Sequence, residues 1–324
     1  YITRRVEVFD LKSIASSDKF EGNMRKDFVW ILNGINLRIA NLEGADLQEI
    51  KFEGADLFKA NLKGARLQGV NLKGANLQGA NLKRAYLGEA ILEGADLQGA
   101  NLREANLQGA VLDNAKLQGA WLDGVQLEKT NLTNVNLREF ILRDAKLAGA
   151  ILEGADLRGA DLYKANLTGA NLTDAKLQNA HLAHADLTGA NLTDAKLQNA
   201  ILPNADLQEA ILKKANLSWA NLHKAHLDNA KLQGAILQGT NLTEAHLYKA
   251  NLRGADLTNA NLENSYIQRT DLRDTKLRGA NLKGAMYWLP STLFPKGFDL
   301  QRLNDGGGYF GKRKRKKVKR KRKK

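Results

Sequence analysis

Residues 167–180 read LTGANLTDAKLQNA, and residues 187–200 repeat the same letters. Within each copy, leucine returns at every fifth position and alanine stands two places before the next leucine. The spacing continues in both directions without one slip, from Leu37 to Tyr287, and gives 51 central positions, of which 48 are leucine. The three exceptions are Phe52, Ile267 and Tyr287. A repeat of this length and regularity decides the fold before any single residue is considered.

The residues around each central leucine follow the same order. Alanine stands two places earlier in 40 of the 51 repeats, and the residue between is most often Asn or Asp, as in Ala100-Asn101-Leu102. A spacing of five would spread the leucines around an α-helix and would send them to alternate faces of a flat strand. We therefore predict that the chain turns a corner in every repeat, with alanine and leucine both pointing inward.

The duplicated segment indicates how many sides make one turn. Its copies are offset by 20 residues, or four repeats. A duplication of whole coils preserves their stacking, so we predict a square coil and an all-β solenoid. The 51 repeats then make about 13 coils, which at strand spacing form a rod of roughly 60 Å.

The A-[ND]-L-x-x pattern resembles that of the pentapeptide repeat proteins. The resemblance implies a right-handed quadrilateral β-helix, and the handedness rests on the resemblance alone. Residues 292–299, TLFPKGFD, are similar to the end of many cyanobacterial members. This second likeness suggests a cytoplasmic or thylakoid-associated location, with cytoplasmic favoured, without fixing the compartment.

Four segments are predicted along the chain. Residues 1–34 form an N-terminal segment with a helical cap, and residues 35–287 form the β-helix. Residues 288–305 form a C-terminal cap, and residues 306–324 form a glycine-rich hinge with a disordered basic tail. The chain begins at Tyr1 rather than methionine, which leaves open whether the natural protein extends upstream.

Both ends of a solenoid expose unpaired backbone edges, which need cover. Residues 16–32 read as an amphipathic helix that begins with polar capping residues. An apolar cluster follows the last repeat, and its members are candidates for cap contacts or for a homodimer interface. They are Met286, Tyr287, Trp288, Leu293, Phe294 and Phe298. We favour the cap, because any solenoid end must be covered.

The net charge of +14 is concentrated at one end of the chain. Residues 312–324 contain twelve basic residues and one valine, and the rest of the chain holds 37 basic against 35 acidic residues. So dense a tail is predicted to bind polyanions, either nucleic acid or an anionic membrane surface. The candidate residues are Lys312, Arg313, Lys314, Arg315, Lys316, Lys317, Lys319, Arg320, Lys321, Arg322, Lys323 and Lys324.

The repeats contain no motif that carries catalytic chemistry. No insertion breaks the register, so no loop builds a pocket, and phosphate-binding, nucleophile-elbow and zinc-site spacings are missing from the sequence. We predict a non-enzyme with no catalytic residues, cofactor or metal. His226, His246 and Tyr266 follow one another at intervals of 20, so they should stack as an exposed column.

A partner surface is predicted on one side of the rod. Ile91, Val111 and Ile151 share a predicted face, interrupted by Asn131, and the alternative is a stripe of β-branched residues that solvent tolerates. Trp121 and Trp219 also fall at outward positions, and exposed aromatic residues are enriched where partners bind.

Two further columns carry structural predictions. Asn41, Asn61, Asn81 and Asn101 should form an amide ladder along the rod. One whole coil replaces the small inward residue by a larger one, which should widen the coil or push a side chain outward. The replacements are Val125, Thr130, Val135 and Phe140.

Three functions remain open after this reasoning. The first is a scaffold or interaction rod for an unidentified protein partner. The second is a nucleic-acid or anionic-membrane adaptor anchored by the tail. The third, implied by the resemblance, is a DNA mimic that binds a topoisomerase. We disfavour it because no predicted face is strongly acidic and the tail would itself attract DNA.

Overall fold

The computed structural model describes residues 32–48 and 50–303. Parallel β-bridges join residues that are twenty apart, beginning with Asn36–Asp56 and Asn41–Asn61. The chain therefore closes one coil in four repeats, and the predicted four-sided coil is confirmed. The predicted helix upstream of residue 32, the glycine hinge and the basic tail lie outside the described residues.

Each side of the coil contributes one outward residue to a ladder of bridges along the rod. We number the sides by the first residue of each ladder, so that face 1 begins at Asn36, face 2 at Asn41, face 3 at Asp46 and face 4 at Lys51. Faces 1 and 3 lie opposite each other, as do faces 2 and 4. A given face recurs at every twentieth residue, so its outward side chains can be read directly from the sequence.

The bore of the rod is filled by the central leucines and the small residues that precede them. Between Leu142 and Leu272 these leucines are at most 1% exposed, and the alanines are equally buried. Burying one such leucine stabilises the fold by about 1.5–3 kcal/mol, offset in part by the entropy lost in ordering its repeat. The predicted inward direction of alanine and leucine is confirmed.

Every backbone N–H of a regular repeat donates a hydrogen bond, as residues 186–190 illustrate. Three donate to main-chain carbonyls of the neighbouring coils, one closes the corner turn, and one donates to a side chain. The bonds run from Asp186 to Ala165 O (3.0 Å), from Leu187 to Asp206 O (2.7 Å), from Gly189 to Gln208 O (2.8 Å), from Ala190 to Leu187 O (2.9 Å) and from Thr188 to Asp186 Oδ1 (2.9 Å).

The last of these bonds explains the preference for Asn and Asp before each leucine. Throughout the described repeats, every Asn or Asp at this outward position accepts a bond from the backbone N–H two residues later. Short polar side chains commonly satisfy a turn in this way. The sequence had suggested only an amide ladder for these residues.

The second corner residue has a left-handed backbone at every turn of the described repeats. Its φ runs from 53° at Lys59 to 72° at Gly254. Glycine accepts this conformation without cost and asparagine tolerates it, so both are frequent here. Trp219 is an unusual occupant, with φ 61°.

The ladder is interrupted once by two consecutive missing bridges. Among the described residues no bridge joins Lys116 to Asn136 or Trp121 to Ile141, whereas the series continues before and after them. We call this junction, between the coil of residues 111–130 and the coil of residues 131–150, the seam. It lies at the coil whose inward residues were predicted to be too bulky, and the predicted local disturbance is observed.

The last coil is completed by residues beyond the repeats. Leu293 pairs with Asp271 and so takes the place of an outward residue on face 4. Thr292 is buried, and its Oγ1 accepts bonds from the N–H groups of Arg269 (3.2 Å) and Trp288 (3.1 Å). A 3-10 helix, Leu300–Leu303, ends the described chain.

At the other end, Leu32 already donates its N–H to Lys51 O at 2.8 Å, one repeat upstream of the boundary read from the sequence. Within residues 32–48 and 50–303, no helix has the length and apolar character needed to cross a membrane.

Candidate interaction surfaces

Face 4 carries an apolar column near the middle of the rod. Bridges join Ile91 to Val111, Val111 to Asn131 and Asn131 to Ile151 in succession. The three apolar side chains are exposed by 37%, 38% and 41% in chain order. The structure thus brings together the three residues that the sequence grouped, with the polar Asn131 between them.

Face 2 carries a second apolar pair, which borders the seam. Trp121 is 49% exposed and Ile141, one coil further on, is 51% exposed. The guanidinium of Arg103 lies 4.1 Å from the Trp121 ring centroid and also pairs with Asp123 at 3.2 Å. Sequence reasoning missed Ile141, although its offset of twenty from Trp121 was the signal that would have found it.

Amide ladders flank this apolar pair on face 2. Asn61, Asn81 and Asn101 each donate from Nδ2 to the Oδ1 of the asparagine one coil earlier, at 3.3, 3.1 and 3.5 Å. A second series, with bonds from Asn241 to Asn221 and from Asn281 to Asn261, lies toward the C-terminal end. The predicted ladder is confirmed, and it fixes the outward amides in one orientation.

Trp219 lies at the corner that follows face 1 and is 65% exposed. Its indole leans over the next coil and occupies the space beside Gly239. A Cβ added to Gly239 would lie 2.3 Å from the Trp219 Cε3 atom. The glycine is therefore the notch that accommodates the tryptophan, and this pairing was not predicted.

A shallow groove runs from Trp219 along the same edge toward Asp256, Lys276 and Arg278. Burial by itself raises the pKa of the Asp256 carboxyl, but hydrogen bonds from Thr258, Gln238 and Lys276 outweigh it. The pKa of Asp256 is therefore held well below its usual range. A carboxylate that accepts so many hydrogen bonds is ionised at neutral pH. It links Gln238 and Lys276, which lie in the neighbouring coils.

Aromatic side chains gather on face 3 toward the C-terminal end. The rings of His226 and His246 are stacked, with centroids 4.7 Å apart, and Tyr266 follows at 4.5 Å. The predicted stacking is confirmed, although the three side chains are half-buried rather than exposed. Within the part of the chain that the structure describes, no group of three or more metal-binding side chains forms.

A second aromatic contact lies beside this column and was not predicted. Tyr248 and Trp288 meet edge to face at 6.2 Å, and the Arg269 guanidinium lies 5.7 Å from each ring. The two aromatic residues are forty apart in sequence, which is two coils. This offset, a multiple of twenty, could have predicted that they lie near each other.

The apolar cluster after the repeats has an inner and an outer part. Tyr287 is buried at 1% exposure, and its ring contacts Phe294, which stacks on Phe298 at 4.9 Å. Trp288 and Leu293 point outward and are 43% and 38% exposed. Met286 continues the face 3 ladder from Tyr266. The cap and the homodimer interface both remain predictions for this cluster.

Outward carboxylates are paired with cations along the rod. Lys276 and Arg273 hold Asp256 and Asp271 at 3.3 and 2.6 Å, and Arg143 reaches Asp161 at 2.6 Å. Lys63 pairs with Glu43 one coil earlier in the same way. Exposed pairs of this kind contribute little stability, but they leave the described faces nearly neutral.

Taken together, four flat faces, a leucine-filled bore and parallel pairing at an interval of twenty define a quadrilateral parallel β-solenoid. The family model described as Pentapeptide repeats (8 copies) matches the chain in successive segments from residue 35 to residue 286. The chain therefore belongs to the pentapeptide repeat family, whose members fold as right-handed quadrilateral β-helices. No curated protein matches the sequence.

The chain is similar to several solved structures. HetL from the cyanobacterium Nostoc sp. strain PCC 7120, involved in heterocyst differentiation regulation, is 30% identical over 78% of this chain and 87% of its own, with a TM-score of 0.38. Rfr23 from the cyanobacterium Cyanothece 51142 is 30% identical over 40% of this chain and 90% of its own, with a TM-score of 0.23. QnrB1, a plasmid-mediated fluoroquinolone resistance protein, is 17% identical over 59% and 86%, with a TM-score of 0.29.

Proposed function

We propose that the chain is a non-enzymatic scaffold, a rod whose outward side chains bind a protein partner. The observation that carries this proposal is the apolar column of Ile91, Val111 and Ile151 on a hydrogen-bonded ladder whose other outward residues are mostly polar. Ladder bonds hold Ile91 to Val111 and Asn131 to Ile151, so little ordering entropy is lost within either pair when a partner binds. Membership of a family of structural and interaction proteins supports the same function.

The test replaces the column by the residue that the repeat itself prefers. Ile91→Asn, Val111→Asn and Ile151→Asn together introduce the turn acceptor that most repeats have and should leave the fold intact. A control variant carries the same change at outward isoleucines on other faces, namely Ile201 on face 2 and Ile236 on face 1. We expect affinity capture to recover the same protein with the unchanged chain and the control, and to lose it with the column variant. Capture by all three would remove the column as the partner surface.

For the basic tail we propose polyanion binding, with an adaptor role as the alternative function of the whole chain. When the twelve clustered cations bind a polyanion, they displace the counterions condensed on it. The affinity of the tail for the polyanion should therefore fall steeply as the salt concentration rises. Binding to duplex DNA and to phosphatidylserine vesicles should be measured for the full chain, for a chain lacking residues 312–324, and for a chain of equal length with the cations replaced by Gln. If binding survives both changes, the tail is not the part of the chain that binds polyanions.

A DNA mimic that binds a topoisomerase is the disfavoured alternative. Such a protein needs an uninterrupted acidic face, whereas outward carboxylates such as Asp56, Asp156 and Asp256 are each paired with Arg38, Arg158 or Lys276. Inhibition of a topoisomerase by the chain without its tail would restore this alternative.

A further inference from the structure

Within the described part of the chain, hydrogen bonds across the seam are present on face 3 and missing on faces 4, 1 and 2; faces 1 and 2 have also lost their bridges, whereas face 4 keeps the bridge between Val111 and Asn131. Each regular repeat donates ladder bonds to both neighbouring coils. Among the described residues, three consecutive repeats on each side of the seam lack the bonds that would cross it, although they keep those to the coil on their other side. The N–H groups without the expected ladder bond across the seam are those of Leu112, Asn114, Leu117, Gly119, Leu122, Asn131, Asn136 and Ile141. This run of lost bonds covers faces 4, 1 and 2.

Face 3 keeps its pairing across the same seam. Leu127 N–H donates to Lys146 O at 2.7 Å, and Lys146 N–H donates to Val125 O at 2.8 Å. The bridge between Gln126 and Lys146 is intact. The two coils therefore keep both bridge and hydrogen bonds along face 3, whereas the opposite side, face 1, has lost both. This is the geometry of a wedge with its edge on face 3.

Bulky inward residues account for the wedge. A single valine fits this position, because Val70 and Val125 are fully buried beside intact ladder bonds. Phe140 takes the place of an alanine on face 2, and the neighbouring Val135 on face 1 is only partly buried. Overfilling a close-packed interior forces backbone shifts that cost about 1–3 kcal/mol. Here the shift separates the coils.

The bore is correspondingly less well covered at the seam. Leu117 and Ala120 are 5% and 6% exposed and Phe140 is 8% exposed, against 0% for Leu177 and Ala180 three coils further on the same faces. Fewer hydrogen bonds and looser packing lower the free energy of local opening.

We propose that the seam is a hinge: the rod consists of two straight blocks that tilt about face 3, so that the angle between them varies. The hinge goes beyond the scaffold function, because it concerns the shape of the rod rather than its partner. Trp121 belongs to one block and Ile141 to the other. A partner that contacts both would select one hinge angle.

Distances between spin labels test the hinge directly, since the chain has no native cysteine. Labels at Gln98→Cys and Gln178→Cys span the seam, whereas labels at Gln178→Cys and Thr258→Cys span a continuous ladder on the same face. Both pairs are eighty residues, or four coils, apart, a distance of roughly 19 Å. We expect a narrow distribution for the control pair and one at least about twice as wide across the seam. Equal widths would overturn the hinge.

The double variant V135A/F140A restores the preferred alanines and should narrow the distribution across the seam to that of the control pair. An unchanged width would show that these residues do not hold the seam open and would overturn the wedge.

Amide exchange gives a second measurement on the unmodified chain. The N–H groups of Leu112, Leu117 and Leu122 should exchange about 10-fold or more faster than those of Leu172, Leu177 and Leu182, which occupy the same faces three coils later and keep their bonds. Equal protection of the two sets would show a closed seam in solution and would also overturn the proposal.

Discussion

Asparagine and aspartate recur before the central leucine because their side-chain oxygen accepts the one N–H that neither the ladder nor the turn uses. An amide or carboxylate reaches that N–H, whereas a leucine or lysine at the same position cannot accept it. Residue choice at this position is therefore set by the corner that follows, two residues away.

Asn106 isolates this effect, because its side-chain oxygen accepts only the Gln108 N–H, at 2.9 Å, among the described residues. Asn106→Ala should lower the free energy of unfolding by about 0.5–1.5 kcal/mol. Asn106→Asp keeps the acceptor and should cost much less. Urea denaturation of both variants measures the difference, and equal losses would show that the turn bond contributes nothing.

At the corners, a side chain in the left-handed position leans over the residue one coil later. Gly254→Ala meets open space and should cost only the left-handed strain, about 1–2 kcal/mol. Gly239→Ala should cost more, because the added methyl group would overlap the Trp219 ring. Thermal denaturation measures the cost of each change.

Removing the tryptophan supplies the control for this comparison. In a Trp219→Asn background, Gly239→Ala should cost no more than Gly254→Ala does. If Gly239→Ala remains the more damaging change there, the notch for Trp219 is not the reason for the glycine.

The lowered pKa of Asp256 predicts a pH dependence. Because the folded pKa lies below the unfolded value of about 3.9, the carboxylate contributes stability that is fully present above that pH and is lost as the pH falls toward the folded pKa. Asp256→Asn keeps the turn acceptor and loses the charge. The variant should be less stable than the unchanged chain at pH 7, and the gap should shrink at pH 3. A gap that is constant with pH would contradict the assignment.

At the scale of one coil, equivalent leucines should contribute differently to stability beside the seam and far from it. Leu197 is fully buried between bonded coils, and Leu117 lies on the same face beside the open ladder. Leu197→Ala should cost about 2–5 kcal/mol, and Leu117→Ala roughly half of that, because the loose site can relax around the smaller side chain. Urea denaturation compares them, and equal costs would indicate a closed bore at Leu117.

Most of the coil could be predicted from the sequence, since spacing alone determines which residues face inward and which stack. The column of His226, His246 and Tyr266 and the amide ladder followed from the offset of twenty. The one-sided opening at the seam did not, because Val125 fits its position and Phe140 does not. That difference depends on the clearance between particular coils. The Trp219–Gly239 notch was missed for a similar reason: side chains at the corners lean toward the next coil, and sequence spacing does not reveal the lean.

At the scale of the whole molecule, the seam divides a one-dimensional stack in which each coil is stabilised by its neighbours. We expect urea to unfold the described repeats in two transitions, one for the coils before the seam and one for those after it. In V135A/F140A the restored ladder should couple the blocks and bring the two transitions together. A single transition in the unchanged chain would mean that the seam transmits cooperativity.

The closed set of bonds within each five-residue repeat also bears on how a gene for such a protein changes length. Gain or loss of sixty nucleotides adds or removes one full coil of twenty residues, and every later side chain stays on the same face. Gain or loss of fifteen nucleotides preserves every local bond as well, yet it rotates all downstream faces by a quarter turn. The duplication at residues 167–180 and 187–200 is of the first kind. Recombination by whole coils can thus lengthen the rod and keep the side chains of each face aligned. Recombination by a single repeat rotates all downstream faces relative to the upstream ones in one event.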